Sequence, residues 1–154
     1  MAEYLRLARL YLLMLAIVTI GRWTLGFQHV PYEKATDKLS IVILTLFACL
    51  FYGAFCRRWL NYRIGQAVAL GMLLGFISQA VILLSTVASY LLGIDSYFTN
   101  PLALNPRTAP AAVPFGQALG IRVFGLVVNT LMSGIAAAVG WAMGVLLPPT
   151  NRPA

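Results

Sequence analysis

Charge is scarce in this chain. Only 10% of its 154 residues are Asp, Glu, Lys or Arg, and just four are acidic. Soluble domains carry about 25% charged residues, so an ordinary water-facing surface is excluded. No carboxylate falls inside a long apolar run, which removes the intramembrane relays on which proton-coupled pumps rely. There is one histidine, His29, so no histidine pair can grip a haem within a bundle. The two cysteines, Cys49 and Cys56, lie on one apolar run and form no C-x-x-C pair. On a helix they share a face but stand roughly 10 Å apart along the axis, too far for a disulfide. H-E-x-x-H, G-x-S-x-G and phosphate-cradling glycine loops are missing as well. These absences point to a non-enzymatic protein with no metal site and no cofactor.

What is abundant is apolar length. Hydrophobic residues make up 60% of the chain, and mean hydropathy is +0.84. Residues 64–94, 123–151 and 39–56 carry no charge at all, giving runs of 31, 29 and 18. About 18 uncharged apolar residues suffice to cross the hydrocarbon core as a helix. A fourth run, Leu10 to Gly21, lies between Arg9 and Arg22. It has the apolar character of a signal peptide, but Arg22-Trp23 follows it in place of a small-residue cleavage site. It is read as a first span lengthened by arginine snorkelling.

The expected fold is therefore an all-α integral membrane protein. One transmembrane domain over 1–154 has four helices at about 4–25, 39–55, 64–93 and 117–147. A proline-rich loop with Pro101, Pro106, Pro110 and Pro114 joins the third helix to the fourth and should be extended and irregular. Residues 56–63 read as a tight basic turn. Orientation follows the excess of Lys and Arg on cytoplasmic segments. Arg6, Arg9, Arg57, Arg58, Arg63 and Arg152 fall on one side, which places both termini inside and the proline-rich loop outside. The net charge of +7 is then a matter of topology and anionic lipid, with no nucleic-acid partner implied. A multi-pass protein of a bacterial plasma membrane is the expected setting.

Four groups of residues stand out. Ala67, Gly71 and Gly75 on the third span, and Ala136, Gly140 and Gly144 on the fourth, form small-residue stripes of the kind that let helix backbones approach closely. They serve either packing inside one bundle or contact between chains. Gln79 and Asn129 are the deepest amides and fall at similar depth, within reach of a cross-helix polar contact. Arg57, Arg58, Trp59 and Arg63 mix basic and aromatic side chains, as at a membrane interface. Arg22 and Arg122 lie one to two turns inside spans, where a charge is costly and marks a candidate site. They either snorkel to the headgroups, or fasten the loops through ion pairs with Glu33, Asp37 or Asp95, or form an anion or lipid-headgroup site, since guanidinium presents a planar fork to phosphate or carboxylate.

Three functions fit this inventory. The first is a non-enzymatic accessory or structural subunit of a larger membrane assembly, with the bilayer and other membrane subunits, or itself, as partners. The second is a homo-oligomeric channel or carrier for a small or anionic solute, lined by Gln79, Arg122 and Asn129. The third is a membrane enzyme that uses His29, Glu33, Asp37 and Asp95.

Overall fold

A computed structural model describes residues 2–32, 40–104 and 112–146. The elements in chain order are α1 (Ala2–Leu7), α2 (Arg9–Phe27), α3 (Ile41–Leu60), α4 (Ile64–Leu92), α5 (Pro101–Leu104) and α6 (Phe115–Met143). A 3-10 turn, Gly144–Leu146, extends α6. Among the described residues there is no strand. Helices α2, α3, α4 and α6, the last with its 3-10 extension, are long and apolar enough to cross a membrane. The chain is an all-helical, multi-pass membrane bundle. Its outward face agrees: Leu84 is 67% and Phe124 71% exposed, as lipid-facing side chains are and core side chains are not.

The second span reaches farther than the sequence implies. It runs to Leu60, so Arg57, Arg58 and Trp59 lie on its last turn and the connecting turn shrinks to Asn61–Arg63. Two effects favour the extension. Cations suit the carbonyl end of a helix dipole, and Asn61 takes the left-handed conformation (φ 53°) that ends it. The Tyr62 N–H then closes on the Cys56 carbonyl at 2.9 Å. The first span is likewise interrupted, with a break at Ala8 between α1 and α2.

The proline-rich connection is not wholly irregular either. Asn100 Oδ1 accepts from Leu102 N–H at 2.9 Å, and Pro101 follows as the first residue of α5. An Asn cap before a first-position proline is a strong helix start. Pro106 and Pro110 lie outside the described residues.

Helix α6 packs along α4 and α3, and the small-residue stripes are what allow this. A Cβ added at Gly71 would sit 2.5 Å from the Ala137 Cβ, and one at Gly75 would sit 2.6 Å from Ser133. A Cβ at Gly140 would collide with the Leu50 carbonyl, 2.7 Å from its carbon, and one at Gly144 would fall 2.9 Å from the Ala54 carbonyl oxygen. Ala67 is buried at 1% exposure. Both stripes are thus spent inside one chain. Helix α2 is held more lightly, chiefly by Tyr11, whose hydroxyl meets Thr45 Oγ1 at 2.9 Å and the Leu74 carbonyl at 3.4 Å.

The two ends of the bundle differ. At the arginine-rich end Tyr62 donates to Glu3 at 2.8 Å, Trp141 Nε1 donates to the Tyr62 carbonyl at 2.8 Å, and Arg57 stacks 3.9 Å over the Trp141 ring. At the opposite end the chain between α4 and α5 folds back over the helices. Ser96 meets Ser89 at 2.7 Å, and Tyr97 donates to the Val30 carbonyl at 2.8 Å. Phe98 is thereby pressed into the bundle, 1% exposed.

Candidate functional site

Arg22 lies on α2 and Arg122 on α6, 100 positions apart in sequence. Arg22 sits about 8 Å and Arg122 about 10 Å of helical rise inside its helix, measured from the same end of the bundle. They line one cavity of about 140 Å³, together with Tyr32, Ser40, Ile41, Val42, Ile82, Phe98 and Ala103. All four spans therefore contribute to its wall. Among the described residues that line it there is no carboxylate.

Each guanidinium is held by its neighbours. The Arg22 guanidinium carbon lies over three aromatic rings, 5.3 Å from Phe98, 5.7 Å from Tyr32 and 5.8 Å from Tyr97. A cation within about 6 Å of a ring centroid is attracted by the ring quadrupole. This is a charge caged on its aromatic side, and only 8% of the residue is exposed. Arg122 donates Nε–H to Thr86 Oγ1 at 3.1 Å and Nη2–H to the Phe98 carbonyl at 2.8 Å. Those bonds use two of the five N–H groups a guanidinium carries. Phe98 thus touches both arginines, one through its ring and one through its carbonyl.

A third positive element comes from the backbone. Ser40 caps α3, its Oγ accepting from Ile43 N–H at 3.3 Å. Ser40, Ile41 and Val42 all line the cavity, so the first turn of a 20-residue helix opens onto it. The leading N–H groups of a helix have no partners within it and carry about half a positive charge. Two guanidinium groups and the first residues of α3 thus share the wall of one small space.

Of the acidic residues expected near the arginines, Glu33 and Asp37 lie outside the described residues. Asp95 is exposed and lines a neighbouring hollow of about 310 Å³ that also includes His29, Ser96, Tyr97 and Asn100. His29 stands at the end of α2 in the left-handed conformation (φ 53°). Among the described residues no three His, Cys, Asp or Glu side chains converge.

Gln79 and Asn129 do come together, facing the space over Gly125. A Cβ there would lie 3.6 Å from Asn129 Nδ2 and 3.8 Å from Gln79 Oε1. No hydrogen bond joins the two amides. Arg57 and Arg58 line a separate basic hollow of about 360 Å³ at the other end, with Asn61, Tyr62, Gly144 and Val145. Trp59 stacks on Phe55 at 5.1 Å. Arg63 lies at the start of α4, its N–H donating to Gln66 Oε1 at 2.9 Å.

Sequence reasoning missed Thr86, Ser40 and the Tyr32–Tyr97–Phe98 cage. The signals were present. Ser40 directly precedes an apolar run, as an N-cap does, and Tyr97-Phe98 is an aromatic pair in a loop. What the sequence lacks is any sign that the two meet over the same pair of arginines.

Comparison with family models, with curated proteins and with solved structures finds no match. The functional reading therefore rests on the site itself.

Proposed function

We propose that this protein is a non-enzymatic accessory protein of a bacterial plasma membrane that holds an anion at the outer face. The observation that carries the reading is the convergence of Arg22, Arg122 and the N-terminus of α3 on one cavity. Burying two like charges is costly unless each is compensated. An anion in the cavity would lie against both guanidinium groups at once. Binding is favoured over conduction because side chains packed beneath the cavity are fully buried, Leu74 and Leu70 at 0% exposure. A single chain thus offers a site without a passage.

In this reading the arginine-rich end is cytoplasmic, both termini are inside, and the cavity opens outward. Arg6, Arg9, Arg57, Arg58 and Arg63 at one end support it through the positive-inside rule. Native mass spectrometry after gentle extraction tests the function. The expected result is the chain with another membrane protein at fixed stoichiometry. A clean homo-oligomer that drives anion flux in liposomes would overturn it in favour of a carrier. A reporter fused after Ala154 that is active only outside the cytoplasm would reverse the orientation.

A further inference from the structure

We infer that the groove between α2 and α3 binds an acidic glycerophospholipid, one acyl chain lying in the groove and the headgroup phosphate resting on Arg6 and Arg9. The site is separate from the outer cavity and shares no lining residue with it.

Helix α2 reaches α3 through Tyr11, whose hydroxyl turns inward to Thr45. On the lipid side of that contact the two helices part. Leu10 and Met14 of α2 form one rim, and Phe47 and Phe51 of α3 form the other, all four exposed. Ala48 and the ring of Tyr11 line the groove between them. A lipid chain suits this shape better than a helix does. Close helix packing in a membrane uses small residues along the contact, whereas here four long side chains stand up. They leave a furrow for methylene groups, whose contacts are non-directional.

Charge selects the headgroup. Arg9 directly precedes Leu10 and Arg6 lies one turn before it, both exposed. Arg58 follows Phe51 by seven residues, on the same face of α3 and about 10 Å nearer that end. Arg57 and Arg63 stand at the same end. Glu3, to which Tyr62 donates, is the acidic side chain there. The other three of the chain's four belong to the opposite end. Asp95 lines the hollow beside the outer cavity, and Glu33 and Asp37 fall in the stretch joining Tyr32 to Ser40, both of which line that cavity. Arginine therefore outnumbers carboxylate at the mouth of the groove, whatever contacts each side chain makes. Basic clusters at a bilayer surface attract anionic lipid, and the glycerol backbone bridges the distance from phosphate to groove. A second copy of this chain suits the groove poorly, because a parallel two-fold pair would set two such clusters side by side.

The test titrates the full chain in detergent with dioleoyl phosphatidylglycerol or dioleoyl phosphatidylcholine and reads retained lipid by native mass spectrometry. One phosphatidylglycerol per chain is expected, with phosphatidylcholine at least about tenfold weaker. Arg6→Gln and Arg9→Gln should each weaken phosphatidylglycerol about fivefold, the worth of one basic residue at an anionic surface, and leave phosphatidylcholine unchanged. Ala48→Phe fills the groove with every charge in place and should weaken both lipids at least about tenfold, the worth of a few displaced methylenes. Ile135→Phe, on the exposed face of α6, should change nothing. Equal retention of the two lipids overturns the acidic class. Phosphatidylglycerol held as tightly by Ale48→Phe overturns the groove, and a dimer that this variant dissociates assigns the groove to a second copy. Should Ala48→Phe unfold, phosphatidylglycerol with a photoreactive acyl chain decides on the unaltered protein. Crosslinks at residues 10–14 and 44–51 support the inference, and crosslinks spread evenly over the four spans overturn it.

Discussion

Replacing Gly140 by alanine adds one methyl group to the α3–α6 contact, and the structure says what that methyl meets. The new Cβ collides with the Leu50 carbonyl oxygen and lies 2.7 and 2.8 Å from the Leu50 carbonyl carbon and Cα. These are backbone atoms of a facing helix and cannot rotate away, so α6 must withdraw from α3. Withdrawal also loosens the reciprocal contact, where Gly53 lies against the Ala137 carbonyl and a Cβ would reach 2.8 Å from the Trp141 nitrogen. Overpacking typically costs 1–3 kcal/mol, and a rigid obstacle on both sides belongs at about 3. Against this, Ala is the better helix former by about 1 kcal/mol. The net expectation is about 2 kcal/mol of destabilisation. Gly120→Ala on the same helix is the control: nothing lies within 4 Å of its Cβ, so only the propensity gain of up to about 1 kcal/mol remains. Reversible unfolding in mixed micelles should therefore separate the two variants by about 3 kcal/mol. Equal stability of the two would refute the backbone-contact reasoning. Gly140→Leu should prevent the monomer from folding, whereas a glycine placed at a contact between chains would leave a folded monomer behind.

Cys49 and Cys56 are fully buried, so a maleimide at neutral pH should label neither in the folded protein and both after denaturation; rapid labelling of the native chain would contradict the packing. Arg122→Gln removes the bond to the Phe98 carbonyl, so amides of residues 94–100 should exchange about tenfold faster, the value of one hydrogen bond to a charged group. Unchanged exchange there would show that the segment is held without Arg122. The Tyr62 phenol donates to Glu3 and is pushed up to about 12, chiefly by that hydrogen bond. A raised folded-state value means the tie is fully present below the ordinary tyrosine range near 10 and is lost as pH rises through about 12. In Glu3→Gln the Tyr62 titration, taken by difference against Tyr62→Phe, should return toward 10; a titration that stays near 12 would assign the shift to burial.

The fold was legible because lipid imposes a simple rule on composition. An uncharged run of sufficient length has few structures available when every backbone group must be satisfied internally. Residues 64–94 accordingly gave α4 (Ile64–Leu92) within two residues of the end. The rule fails at helix ends, where it is silent. Cys56–Trp59 carry two charges and so resembled a turn, yet the dipole and the αL cap at Asn61 keep them helical. Pro101 looked like a helix breaker but stands at the one helical position that tolerates it. The stripes through Gly71 and Gly140 were visible as stripes, but spacing is the same for a partner within the chain and one outside it. Only the Leu50 and Ala137 contacts decide between them.

The candidate site was legible in the same partial way. Arg22 and Arg122 stood out because each violates the composition of its own span, a property of one helix at a time. Their meeting depends on the stagger of α2 against α6. That stagger is set elsewhere, by Tyr11 reaching Thr45 and the Leu74 carbonyl and by the glycine contacts of α6. It leaves the arginines at the two ends in different surroundings. Arg57 stacks on the face of Trp141 beside a hollow of about 360 Å³. Arg22 is enclosed by three rings and Arg122 is tied to Thr86 and Phe98, so neither can snorkel without undoing the packing that holds it. A chain that needed only positive charge near a membrane surface would gain nothing from that confinement. In the proposed function an anion in the cavity would share both guanidinium groups, adding to the rings around Arg22 and the oxygens that hold Arg122.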